Sequence, residues 1–156
     1  MEHELDAYRK QCADICAVVP KNPTNLKLVF DLETTGLNPA EDEILEAAIV
    51  TTDGDILFES RFKPACVTEW PKAQNVNGIS PEMVADAPRI IDKIGEMAAL
   101  LQNAETIIGY NGKHFDIPFL ERYGIRFRKQ QKGLLPVHTG SKPFFIQFFM
   151  KGMIYL

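Results

Sequence analysis

The stretch that most constrains this chain is Leu28-Val29-Phe30-Asp31-Leu32-Glu33-Thr34-Thr35-Gly36-Leu37. The apolar run from Leu26 to Phe30 reads as a buried strand. It then meets two carboxylates one residue apart. Alternate side chains of a strand share a face, so Asp31 and Glu33 point the same way, roughly 7 Å apart along the chain. Two like charges at a buried strand end repel, and a cation between them relieves the repulsion. Thr34-Thr35-Gly36 breaks the strand and leaves short side chains and backbone N–H groups beside the carboxylates. Such a corner suits a hydrated divalent metal and a phosphate. Taken alone, Asp-x-Glu reads equally well as a solvated strand end.

The remaining elements follow from pattern. A short helix is expected over 4–19, ended by Pro20 and Pro23, and strands over 26–32, 44–52 and 56–62. Asn38 to Asp42 is a turn, and Thr51 to Asp55 a hairpin turn. Glu41, Asp42, Glu43 and Glu46 read as a solvated edge. Residues 64–78, rich in Pro and Asn, read as loop. Ser80-Pro81-Glu82 starts a helix that stops near Ala87-Pro88. A longer helix follows, with Ile90, Ile91, Ile94, Met97, Ala98 and Leu101 on one face. Then come a strand over 106–110 and a helix over 115–123, closed by Gly124. A hairpin meander followed by a crossover helix predicts an α/β fold, a mixed sheet with helices against it.

The 156 residues suit one domain with a sizeable core. Net charge is −4, but it is uneven. Residues 1–120 hold 10 Lys+Arg against 20 Asp+Glu, giving −10, and residues 121–156 hold 7 against 1, giving +6. A basic end beside an acidic metal site could help hold a polyanion, or it could be an unstructured basic tail. Three cysteines exclude a disulfide framework and point to a reducing, cytoplasmic compartment. Cys12 and Cys16 share a helix face, and with no Cys or His nearby to complete a tetrahedral set they read as buried thiols. Met1-Glu2-His3-Glu4 lacks the apolar core of a signal peptide. The late apolar run Phe144 to Met150 is too short to span a bilayer, so no membrane partner is expected.

A second stretch changes the reading of the first. In Thr106-Ile107-Ile108-Gly109-Tyr110-Asn111 a β-branched strand ends in a turn, and Phe115-Asp116-Ile117-Pro118-Phe119-Leu120 puts a carboxylate at a helix start. Asp-x-Glu-Thr-Thr-Gly-Leu after a strand, then Asn-x(3)-Phe-Asp-Ile-Pro-Phe-Leu, resembles the first two motifs of the DnaQ-like DEDD 3′–5′ exonucleases. Asn77-Gly78-Ile79-Ser80, Glu82-Met83 and Ala87-Pro88 resemble the segment between them. The resemblance covers about residues 26–125 and implies a ribonuclease-H-like fold. It divides the chain into an N-terminal extension, 1–25, an exonuclease-like domain, 26–128, and an atypical tail, 129–156.

The resemblance also implies the chemistry. Phosphodiester hydrolysis needs an activated water and a stabilised leaving oxygen, which two divalent ions about 3.5–4 Å apart supply. Hard ions such as Mg²⁺ or Mn²⁺ take oxygen ligands. By resemblance Asp31 bridges both ions, Glu33 holds the ion that activates water, and Asp116 serves the second. Thr34, Thr35 and Leu37 match positions that contact the terminal nucleotide. Phe115 either stacks on a base or packs in the core. Asn111 either contacts phosphate or holds its turn, and His114 reads as a surface residue. The implied partners are a nucleic acid with a 3′ end, DNA or RNA, and a polymerase.

One departure stands against this. The family's third motif, His-x(4)-Asp or Tyr-x(3)-Asp, supplies a fourth carboxylate and the residue that activates water. Here no Asp follows Asp116, the only later acid is Glu121, and His138 has Pro143 five positions on. The expectation is therefore a chain truncated or frameshifted in its C-terminal part. Two functions stay open: a 3′–5′ exonuclease with two ions, or an incomplete module that binds nucleic acid or a protein without cleaving, with one ion at most.

Overall fold

The computed structural model describes residues 2–109 and 115–131. Helix α1, Glu2–Ala17, precedes strand β1, Lys27–Thr34. Strands β2, Ile44–Thr51, and β3, Ile56–Arg61, complete a meander whose turn carries Gly54 at φ 98°. The short helix α2, Pro71–Asn77, comes next, followed by 3₁₀ turns at Pro81–Val84 and Ile90–Asp92. Helix α3, Ile94–Asn103, leads into strand β4, Thr106–Ile108, then helix α4, Asp116–Arg122, and a 3₁₀ turn at Lys129–Gln131.

The strands form one sheet in the order β3-β2-β1-β4. β1 pairs antiparallel with β2, Leu28 opposite Thr51 and Glu33 opposite Glu46, and parallel with β4, Val29 opposite Ile108. This is the expected mixed sheet with flanking helices. The parallel pair sits side by side because α3 provides the crossover between them. β1 and β4 therefore point toward the same end of the sheet, with β4 stopping opposite Val29 and β1 running on to Thr34.

Alternation along β1 decides what faces what. Leu28, Phe30 and Leu32 enter the main core with Ile94, Met97 and Leu101 of α3, Cys12 and Cys16 of α1, and Phe119 and Leu120 of α4. Val29 lies in a separate cluster with Val50 and Ile108. Asp31 and Glu33 fall in step with Val29, on the other face from Leu32. The two cysteines are 0% and 2% exposed, as their spacing predicted.

Several expectations need correction. Residues 64–78 are not loop throughout, since 71–77 form α2, with Pro71 in its first turn and Gly78 at φ 74° closing it. None of its seven residues is buried, so it carries no apolar period for a sequence to display. The helix expected from Ile90 is split, a 3₁₀ turn at 90–92 followed by α3 at 94–103. The helix expected from Ser80 is a single 3₁₀ turn.

The acidic group at 41–46 is not a solvated edge. Glu41 is exposed, but Glu43 and Glu46 are 2% and 9% exposed. Glu43 accepts the backbone N–H groups of Ala65, Cys66 and Val67 at 2.8, 2.8 and 2.7 Å. Glu46 accepts from Arg61 Nε at 2.9 Å. Burial pushes the Glu46 carboxyl up, the Arg61 contact opposes it, and the neighbouring Glu33 charge adds to the rise. Among the described residues no helix is long and apolar enough to cross a membrane.

Candidate active site

At the carboxyl end of β1 lies a cleft of about 570 Å³. Asp31 and Glu33 line it from the strand, and Asp116 lines it from the first turn of α4, with Phe115 beside it. Thr34, Thr35, Gly36 and Leu37 line it from the loop after β1. Lys72, Ala73, Val76 and Asn77 of α2 form a further wall. Residues 85 positions apart (116 − 31) thus meet in one concavity, with β4, which runs parallel to β1 and stops opposite Val29, leading on toward α4. Asp31 and Asp116 are 6% and 3% exposed, and Glu33 is half-buried.

Among the described residues, no three His, Cys, Asp or Glu side chains are gathered closely enough to enclose an ion. The three carboxylates nonetheless line one cleft. Four acids line it, Asp31, Glu33, Asp42 and Asp116, against one described cation, the exposed Lys72.

The loop after β1 has its own internal order. Thr34 Oγ1 donates to the Gly36 carbonyl at 2.6 Å. Thr35 Oγ1 donates to Asp42 Oδ1 at 3.0 Å and accepts from the Glu43 N–H at 2.9 Å. Both threonine hydroxyls are thus engaged in holding the loop. A Cβ at Gly36 would collide with the Asp42 carboxylate, which explains a glycine there. Leu37 is 83% exposed at the cleft edge. Val76 of α2, 86% exposed, lines the same cleft, so the two apolar side chains form a patch rather than a scattered exposure.

Of the two readings of Phe115, core packing is the one observed. It packs on Phe119, ring centroids 5.1 Å apart at 59°, against the main core, and it lines the cleft. Asn111, His114 and His138 lie outside the described residues, as does most of the expected tail. Glu121, the last acid of the sequence, lines a different recess with Asn38, Pro39, Ala40, Pro118 and Arg122.

Sequence reasoning missed the α2 wall. Asn77 Nδ2 donates to the Thr34 carbonyl at 3.1 Å, and its Oδ1 accepts the Ile79 N–H at 2.9 Å. Trp70 Nε1 donates to the Ile79 carbonyl at 2.7 Å, and the ring packs with Leu45, Ile79 and Val84. Pro71 at the helix start and Gly78 just past its end were the signals available.

A family model for exonucleases, RNase T, matches residues 28–141, and the chain belongs to that exonuclease family. The match runs past residue 125, where the two-motif resemblance stops. The chain is 28% identical over 99 residues to the DNA polymerase III subunit epsilon of Treponema pallidum, covering 58% of this chain and 42% of that protein. It is 35% identical over 97 residues to the PolC-type DNA polymerase III of Staphylococcus saprophyticus, covering 60% of this chain and 6% of that protein. The chain therefore spans under half of these relatives. Escherichia coli exonuclease I, solved in complex with a dT13 oligonucleotide, shares the fold, with a TM-score of 0.59 at 20% identity over 71% of this chain and 27% of that one.

Proposed function

We propose that this chain hydrolyses phosphodiester bonds from the 3′ end of a nucleic acid strand, using divalent ions held by Asp31, Glu33 and Asp116. The observation that carries this reading is the meeting of the three carboxylates in one cleft beside an exposed apolar edge. The donor set is carboxylate throughout, which fits Mg²⁺ or Mn²⁺. Such ions, when bound, lower the pKa of water and stabilise the leaving oxygen.

The chain's own residues do the rest. Asp31 and Asp116, buried at the floor, are fixed by β1 and by the first turn of α4. Leu37, Val76 and Phe115 offer apolar surface to a terminal base, recognition that tolerates any base. Lys72 offers the described cleft its cation for a phosphate. The 3′–5′ polarity follows from the motif resemblance. A DNA strand is the favoured substrate because the relatives are DNA polymerase III proteins, and a polymerase is the favoured protein partner for the same reason.

A second reading has its own observation. Of the four acids that line the described cleft, Asp42 already accepts from the Thr35 hydroxyl and the Asn38 N–H, and Glu121 lies in another recess. On that reading the chain binds a strand without cleaving it. Single-stranded oligonucleotides labelled at the 5′ end, incubated with Mg²⁺ or Mn²⁺, separate the two. A ladder shortening from the 3′ end supports the exonuclease. Binding by anisotropy with no shortening supports the second reading, and neither binding nor cleavage contradicts both.

A further inference from the structure

Helix α1 lies before the residues that match the exonuclease family, yet one of its side chains reaches the cleft loop. Arg9 is 3% exposed. Its Nη1 donates to the Ala40 carbonyl at 3.0 Å and its Nη2 to the Asp42 carbonyl at 2.7 Å. The guanidinium lies 5.1 Å from the centroid of the Tyr123 ring, just beyond α4. Its Nε is buried with no hydrogen-bond partner among the described residues. A buried guanidinium carries a desolvation cost, so its retention needs compensating contacts. Here they are two loop carbonyls and an aromatic face. The planar fork can serve carbonyls two residues apart at once, which a lysine ammonium at the end of a flexible stem does poorly.

The carbonyls it holds belong to the loop that shapes the cleft. The Asp42 carboxylate accepts the Thr35 hydroxyl at 3.0 Å and the Asn38 N–H at 2.9 Å. The Asn38 carbonyl in turn accepts the N–H groups of Glu41 and Asp42 at 3.1 and 2.8 Å. Thr35, Gly36, Leu37 and Asp42 all line the cleft. A shift of the backbone at 40–42 therefore moves the Asp42 carboxylate, and with it the loop that presents Leu37.

We propose that Arg9 is a positioning residue of the cleft, fixing from α1 the loop at 37–42 in the shape that receives a terminal nucleotide. This role rests on the cleft being a nucleotide site, as proposed above. Arg9→Met keeps the apolar stem and removes the fork. Tyr8→Phe is the control, because the Tyr8 hydroxyl accepts the Ile91 N–H at 3.2 Å and so ties α1 down away from the cleft. Two measurements on the full chain are compared: affinity for thymidine 5′-monophosphate with Mn²⁺, and amide hydrogen exchange across 36–43. Arg9→Met should weaken the nucleotide at least fivefold and speed exchange in that loop at least tenfold. Arg9→Lys should recover part of both, and Tyr8→Phe should change neither even where it lowers the melting temperature. If loop exchange in Arg9→Met equals that of the parent, the proposal is overturned. Equal nucleotide affinity with faster exchange overturns it too, since the loop's order then has no bearing on the site. If the parent itself binds no nucleotide, the nucleotide reading of the cleft falls and the role of Arg9 falls with it, while exchange still reports whether Arg9 orders the loop.

Discussion

Glu43 offers the most quantitative test of how the cleft is built. Its carboxylate accepts three backbone N–H groups, from Ala65, Cys66 and Val67, and its own N–H reaches Thr35 Oγ1. It therefore ties the loop after β1 to the segment that leads into Trp70 and α2. Replacing it with Gln leaves one oxygen, able to accept the two N–H groups that now share Oε2. The new NH₂ then faces the Ala65 N–H, donor against donor. The loss is one charge-assisted hydrogen bond and the weakening of two others, about 2 kcal/mol. Glu43→Ala strips all three acceptors, and because the site is partly reached by water the loss stops at about 4 kcal/mol. At about 2–4 °C per kcal/mol for a chain of this size, melting should fall about 4–8 °C for Gln and about 8–16 °C for Ala. Urea unfolding followed by circular dichroism measures the free energies directly. Losses within about 0.5 kcal/mol for both variants, the ordinary range for a surface site, would refute the bridging role.

Three further outcomes are expected. Gly36→Ala should destabilise by about 1–3 kcal/mol, the range for forcing a methyl into filled space, because its Cβ meets the Asp42 carboxylate; a melting temperature equal to the parent's would contradict the packing of that loop. Asn103→Ala should cost about 2 kcal/mol in urea unfolding, since the side chain accepts the Asn22 N–H and donates to the Pro20 and Ala99 carbonyls; no loss would mean those groups find other partners. Burial raises the Cys12 and Cys16 thiols to about 12 and 11 and the Tyr8 phenol to about 12. Each group is held protonated in the fold, so its contribution is intact below the ordinary thiol and phenol range and is lost as pH climbs toward the raised values. Melting temperature should therefore be flat between pH 7 and about 8.5 and fall steadily from about pH 9 to 11, with a shallower fall in Cys12→Ala.

What the sequence made legible and what it hid have physical causes. β1 and its two acids were legible because a buried strand end is a local pattern: an apolar run, two carboxylates in step, then glycine. That Asp116 lines the same cleft was legible only through two motifs in order, since no local pattern says that β4 pairs beside β1. Glu43 was misread because charge in a turn usually means solvent, and nothing in its neighbours shows that the backbone of 65–67 would need acceptors. α2 was missed because none of its residues is buried and its ends do the holding, through Trp70 and Asn77. Arg9 carries no signal in the sequence, and only the docking of α1 against the loop at 40–42 gives it a task.

The central claim is that Asp31, Glu33 and Asp116 make one divalent-ion site, and Mn²⁺ titration followed by electron paramagnetic resonance tests it without requiring turnover. The parent chain should bind Mn²⁺ competitively with Mg²⁺, and Asp31→Asn and Asp116→Asn should each weaken binding at least tenfold, about 1.4 kcal/mol. The double variant should bind no more weakly than the product of the single losses predicts, because the two groups act on the same ion. If Asp116→Asn binds Mn²⁺ as tightly as the parent while Asp31→Asn does not, the two carboxylates serve different purposes and the shared site is wrong.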